Sequence, residues 1–140
     1  MSRAIKFRAW HPTGDNMIYF DNEKAANDIH MAQHLLTLMA STHSEGKDLL
    51  MQFTGLTDKN GVDIYEGDIT KTVSEIIRPF DRSVKTKTGE YVTKFRVIEY
   101  KSSESSFGFS DSYIAGISQK HATKRLEVVG NIHENKDLIN

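Results

Sequence analysis

The sequence predicts an α+β protein that is mostly β, with an N-terminal β-hairpin plus helix and a small antiparallel barrel or curled sheet in the C-terminal part. Three observations support this fold class. Apolar and basic residues alternate near the N-terminus, one apolar stripe with helical spacing follows, and short β-type segments separated by turn residues begin at residue 48. We therefore divide the chain into a hairpin–helix region, residues 1–47, and a barrel region, residues 48–140.

The first 20 residues carry the hairpin signal. Residues 5–10 alternate as a half-buried strand does, residues 11–16 are a turn cluster, and residues 17–20 are apolar enough to form the returning strand. A helix is then expected from about Glu23 to Ala40, with Asp21 or Asn22 as the capping side chain. Its apolar stripe recurs at intervals of four and three residues, at Ala25, Ile29, Ala32, Leu36 and Met39.

From residue 48 onward the pattern indicates β-structure. We predict strands at residues 49–54, 62–73, 91–101, 106–110, 113–117 and 126–133. A loop is expected near residues 74–90, because this stretch is polar and contains Pro79, and Lys87–Glu90 is expected to form a hairpin tip. Residues 131–138 are expected to form a final helical turn.

Four acidic side chains in the centre of the chain could suggest a divalent-cation site or acid–base chemistry: Asp58, Asp63, Glu66 and Asp68. Turn chemistry explains them better. Asn60 and Gly61 accept positive φ, an aspartate beside them bonds nearby amides, and Gly67 permits a bulge. The acids also lack the alternating spacing of a calcium loop of the EF-hand kind. We therefore predict structural roles.

No catalytic, cofactor-binding or metal-ligating residue is predicted. The chain has no cysteine, which excludes disulfides and thiolate metal sites. It has no Gly-x-Ser-x-Gly elbow and no glycine-rich phosphate loop. His30 and His34 lie one helical turn apart, but Met31 stands where a metalloprotease helix has its glutamate, so surface histidines are expected.

Composition and charge limit the location and partners of the protein. The N-terminus lacks a secretory signal and no stretch is apolar enough to span a membrane, so we expect a cytoplasmic protein. A modest core in 140 residues predicts a homo-oligomer. The formal net charge is −1, but residues 45–68 hold six acids against two bases, and residues 71–101 hold eight bases against four acids.

This basic segment is the best functional lead in the sequence. Lys85 and Lys87 flank the expected hairpin tip, and Lys94 and Arg96 share one face of the following strand, with Tyr100 as a stacking surface. Phe95 and Val97 are expected to face the core. Contact of Lys85, Lys87, Lys94 and Arg96 with nucleic acid is therefore one hypothesis, and a solvated edge strand protected by charge is the other.

The sequence resembles the YopX family of phages and prophages. Three blocks carry the likeness: residues 5–10, residues 50–69 with their Asp58–Gly61 turn and Gly67-Asp68 pair, and residues 127–138 with Gly130-Asn131 and Glu134-Asn135. The resemblance implies an SH3-like barrel in the C-terminal part, beginning near Gly67, and implies no catalytic residues. Lys136 departs from the family pattern, which usually has a proline there.

Three functions follow as hypotheses. The first is a non-enzymatic phage or prophage accessory protein that binds a macromolecular partner. The second is a nucleic-acid-binding module that uses the basic strand face. The third is a small hydrolase or nucleotide-binding protein whose site lies at an oligomer interface.

Overall fold

The computed structural model describes residues 4–11, 14–20, 33, 37, 50–81, 84–112 and 116–140, and for residues 78–81 and 84–87 it describes the backbone alone. Most of the helix predicted over residues 23–40, including His30 and His34, lies outside the described residues. Gln33 and Thr37 are described and helical, and the Thr37 hydroxyl donates to the Gln33 carbonyl at 2.9 Å. No described helix is long and apolar enough to cross a membrane.

The described structure is mostly β, with antiparallel pairing in every strand pair. Besides the helical residues Gln33 and Thr37, its elements are eight strands, one α-helix and a final 3-10 helix. In chain order these are β1 (Phe7–His11), β2 (Asn16–Phe20), β3 (Leu50–Thr57), β4 (Asp63–Tyr65), β5 (Asp68–Asp81), β6 (Val84–Lys101), β7 (Ser106–Phe109), α1 (Gln119–Arg125), β8 (Glu127–Asn131) and the 3-10 helix (Lys136–Leu138).

The first sheet has the strand order β2-β1-β3-β4. β1 and β2 pair as the predicted hairpin, with Ala9 opposite Ile18, and β1 also pairs with β3, with Arg8 opposite Met51. This second pairing crosses the boundary drawn between residues 47 and 48. The first sheet therefore combines strands from both predicted regions, while the division into two regions stays a prediction.

The second sheet has the order β7-β6-β5-β8 and is built on one long hairpin. The loop predicted near residues 74–90 is wrong for the described backbone, because β5 continues to Asp81 and β6 begins at Val84. Lys87–Glu90 is not the hairpin tip. Gly89 takes φ +71° where the register shifts between Glu75 and Ile77, so the turn-like residues form an irregularity inside the ladder.

Helix α1 was not predicted. It has seven residues, and the hydroxyl of its N-cap, Ser118, accepts from the His121 N–H at 3.1 Å. Ala122 and the C-cap Leu126 are both fully buried. They join the largest core cluster of the described chain, with Ile64, Ile98, Phe107 and Phe109. Near the C-terminus, the helical turn expected within residues 131–138 is present as the 3-10 helix.

Several contacts connect the first sheet to the rest of the described chain, among them a ring stack and the turn that leads into β5. The Trp10 and His133 rings stack with their centroids 5.4 Å apart, which joins β1 to the segment after β8. The turn Glu66–Gly67 carries the chain from the first sheet to the second. There the Gly67 N–H donates to the Ile98 carbonyl at 2.8 Å, and the Gly67 carbonyl accepts from Ile132 at 2.9 Å.

Gly67 is required at this turn for two reasons. Its φ of +80° is disfavoured for residues with a side chain, and an added Cβ would lie 3.0 Å from the Met51 sulfur. We expect Gly67→Val to lower the free energy of unfolding by about 1–3 kcal/mol. Urea denaturation of the variant and of the unsubstituted protein measures this difference in unfolding free energy.

Gly61 provides the matched control, since its φ is +79° and an added Cβ there would have nothing within 4 Å. Gly61→Val therefore carries the backbone cost without the contact with Met51. If both variants lose the same stability, the close packing around Gly67 contributes nothing. An unchanged unfolding midpoint for Gly67→Val would contradict the whole assignment.

Candidate macromolecule-binding site

The central acids hold the backbone together, as the turn chemistry predicted. One Asp58 oxygen accepts from the amides of Asn60 and Val62 at 2.8 and 2.9 Å. The other accepts from the amide of Val128 at 2.8 Å, a bond to β8 that the sequence did not suggest. Asp58 is 2% exposed. Its lone pairs are thus committed to three amide donors, which is a structural role.

Asp68 forms a buried ion pair. Its Oδ1 lies 2.6 Å from Arg8 Nη2, and its Oδ2 accepts from the Tyr65 amide at 2.7 Å. The Arg8 side chain also donates to the Glu66 carbonyl at 3.2 Å and covers the Tyr65 ring at 4.8 Å. Burial raises the pKa of Asp68, and the charge of Arg8 and the Tyr65 N–H oppose that rise.

A surface cavity of about 400 Å³ lies beside this pair, with Tyr19 and Asp63 also in its wall. Asp63 is itself paired with Lys6 at 2.8 Å. Burial raises the pKa of Tyr65, which keeps its phenol neutral. Within the described part of the chain no three histidine or acidic side chains cluster as metal ligands would. Each charged side chain in the cavity wall lies beside an opposite charge: Arg8 and Asp68 pair with each other, and Asp63 pairs with Lys6.

The long hairpin leaves the second sheet as an arm. β8 pairs with β5 at Asp68–Lys71, and β7 pairs with β6 at Ile98–Lys101. Beyond these pairings, residues 72–81 of β5 and 84–97 of β6 pair with each other, and no third described strand joins them. We call this two-stranded segment the β5–β6 arm. At roughly 3.3 Å per residue it is about 30 Å long.

The four predicted basic residues all lie on the arm, and the structure describes the side chains of two of them, Lys94 and Arg96. The Lys94 side chain is exposed. Arg96 is 27% exposed, lies over the Phe109 ring at 4.9 Å and approaches Asp111 at 3.5 Å. The backbones of Lys85 and Lys87 are in β6, opposite Pro79 and Ile77, and their side chains lie outside the described ones. Arg96 is therefore engaged by its own chain.

The structure corrects the predicted burial of Phe95 on β6, whereas Val97 on the same face is partly buried opposite the fully buried Ile69. Phe95 was expected in the core, yet it is 40% exposed. Ile98, on the same face as Lys94 and Arg96, is the fully buried residue. The reason is tertiary: Ile98 lies where β7 and α1 cover the sheet, whereas Phe95 lies on the arm, beyond the strands that flank β5 and β6.

One face of the arm carries exposed apolar side chains that sequence reasoning missed. Val73 is 48% exposed, Tyr91 is 67% exposed, and Phe95 lies between Tyr91 and the sheet. Glu75 and Thr93 share this face, because Val73 is opposite Thr93 and Glu75 is opposite Tyr91. Lys71 continues the face at the base of the arm, opposite Phe95 on one side and Glu127 of β8 on the other. We call these six residues of β5 and β6 the arm face. The predicted strands 62–73 and 91–101 contained Val73, Tyr91 and Phe95, but their local pattern did not show that this face would be left uncovered.

Comparison with known proteins places the chain in a family. The sequence matches the family model described as "YopX protein" over residues 6–140. The chain belongs to the YopX family. Among solved structures it is similar to protein EF1440 from Enterococcus faecalis, at 22% identity and a TM-score of 0.56, over 99% of this chain and 100% of that one. At that identity the likeness is one of fold. A comparison with curated proteins found no match.

The buried pair is testable by a double-mutant cycle. Arg8→Met leaves the Asp68 carboxylate without a counter-charge. Asp68→Asn leaves the Arg8 guanidinium without a counter-charge. We expect each single variant to lose about 3–5 kcal/mol of unfolding free energy.

The double variant should lose less than the sum of the two, with a coupling of about 1–3 kcal/mol, because neither charge is then left alone. Chemical denaturation of all four proteins supplies the values. Strictly additive losses would mean that the two side chains stabilise the fold independently.

Proposed function

We propose that this YopX protein is a non-enzymatic accessory protein of a phage or prophage that acts in the bacterial cytoplasm by binding a macromolecular partner through the β5–β6 arm. The observation that carries the proposal is the arm itself. A two-stranded ribbon is marginally stable in water, and this one also exposes Val73, Tyr91 and Phe95. Such a ribbon gains stability when another molecule covers it.

The roles of the central acids support a binding function over an enzymatic one. Asp58 accepts three backbone hydrogen bonds and Asp68 is paired with Arg8, so both carboxylates are used in holding turns and sheets together. We further propose that β5, β6, β7 and β8 form an SH3-like barrel, as the family resemblance implies, with the arm extending from it.

A nucleic acid is the second candidate partner, favoured by the charge of the arm. Residues 72–97 contain six bases and three acids, whereas the whole chain has a formal net charge of −1. Lys94 is exposed near the base of the arm, and the sequence places Arg78, Arg82, Lys85 and Lys87 toward its tip. A two-stranded ribbon fits the major groove of DNA.

The arm tip can be removed with little change to the rest of the protein. Ile77 and Lys87 are directly paired, so replacing residues 78–86 with Asn-Gly closes a short hairpin at that pair. We expect the shortened protein to fold, and to capture much less of its partner from host lysate than the complete protein does.

Nuclease treatment of the lysate separates the two candidate partners. If a protein is still captured after nuclease treatment, and its capture requires the tip, the partner is a protein. If nuclease treatment abolishes capture, the partner is a nucleic acid. Equal capture by the shortened and complete proteins would refute the assignment of binding to the tip.

Salt dependence tests the nucleic-acid candidate directly. If the arm contacts phosphates, affinity for single- or double-stranded DNA should fall steeply as salt rises, because binding releases counterions. Lys94→Ala should lower the slope of log K against log salt by about one, without changing sequence preference. Arg96→Ala should lower it less, since Arg96 already lies against Phe109 and near Asp111.

Fluorescence anisotropy with purified protein freed of nucleic acid provides the measurement. Binding that is absent at micromolar protein, or insensitive to salt, would remove nucleic acid from consideration.

A further inference from the structure

The arm face has a two-fold symmetric pattern of chemistry. On β5 its residues run Lys71, Val73, Glu75, with opposite charges at equal distances from a central valine. On β6 the residues opposite them run Phe95, Thr93, Tyr91, with aromatic rings at equal distances from a central threonine. The Val73–Thr93 pair is thus the centre of both rows.

This pattern is what an isologous dimer requires, since the same patch must complement itself. Consider two arms packed face to face, related by a two-fold axis that lies in the interface, perpendicular to the strands at the Val73–Thr93 pair. β5 then crosses over β5 of the second copy in the opposite direction. Lys71 meets Glu75 of the second copy, and Phe95 meets its Tyr91.

Each contact in this arrangement is chemically favourable. Two Lys–Glu pairs form at the sides, two aromatic pairs form beside them, and the two half-exposed Val73 side chains meet at the centre. Shifting the two strands by two residues would bring Glu75 against an apolar position. The opposite charges therefore select one register as well as one partner.

From this self-complementarity we infer that the arm face binds the arm face of a second copy of this chain. The inference rests on the proposed function of the arm as a binding element and names a partner for its proximal half. The distal half, from Arg78 to Lys85, extends past the interface on each copy.

Charge reversal tests the pairing. Sedimentation equilibrium of the complete chain should give twice the 15.9 kDa of one copy. Glu75→Lys should weaken dimerisation by about tenfold or more, because it sets like charges against each other. Lys71→Glu with Glu75→Lys in one chain should restore the dimer by exchanging the two charges.

Lys94→Glu is the matched control. It makes a charge change of the same size on the opposite face of the arm, on the neighbouring strand β6, and should leave the dimer intact. A monomer at all concentrations for the complete chain would overturn the inference. So would a double reversal that stays monomeric while its circular dichroism spectrum remains native.

A second measurement does not depend on the folding of charge variants. Because the chain has no cysteine, Val73→Cys introduces a single thiol at the two-fold centre, where it meets its own copy. A short thiol-to-thiol cross-linker should then join most of the chains in pairs. Lys94→Cys, on the other face, should stay unlinked, and equal linking of the two variants would overturn the inference.

The shortened protein distinguishes failure of the dimer from failure of the proposed binding function. The shortened arm lacks residues 78–86 but keeps all six residues of the arm face, so it should still dimerise while losing capture of its partner. If the complete chain is monomeric yet capture still depends on the tip, the dimer is refuted and the binding function stands.

Discussion

The fold depends on one buried junction, where the Arg8–Asp68 ion pair and the Gly67 turn join the two sheets. Arg8 lies in β1 of the first sheet and Asp68 begins β5 of the second, and their charged atoms are 2.6 Å apart at nearly complete burial. Gly67 supplies the positive φ that allows the chain to cross between them, and it bonds to Ile98 and Ile132 on either side. A charge buried there is stable only while its partner is present.

Asp58 and Asp68 both have their carboxylates engaged in holding the fold together. A carboxylate that acts on a substrate needs a free lone pair facing an accessible space. The Asp58 oxygens accept hydrogen bonds from three backbone amides, and the Asp68 oxygens contact the Arg8 guanidinium and the Tyr65 amide. In the sequence, these side chains could suggest a cation site or acid–base chemistry. In the structure, they hold the turns and β8 in place.

The arm face presents the opposite situation, because its apolar side chains Val73, Tyr91 and Phe95 are 40–67% exposed. The core cluster around Ile98, Phe107 and Leu126 ends where β7 and β8 end, and β5 and β6 continue beyond it. Side chains that would be core residues in a wider sheet, such as Phe95, are left exposed. These uncovered apolar side chains are the feature on which the proposed binding function rests.

The family, the β character, the N-terminal hairpin and the turns at Asp58–Gly61 and Gly67 could all be read from the sequence, because they depend on local alternation and on backbone conformations that few residues adopt. Three features required the folded chain: Phe95 is exposed while Ile98 is buried, residues 74–90 continue the hairpin, and Arg96 lies against Phe109. Burial on a strand depends on what packs over it, and a period of two marks two faces without saying which one is covered. Helix α1 was not predicted for a related reason, since its seven residues contribute little apolar pattern besides Ala122, and the core residues that pack around Ala122 come from distant segments.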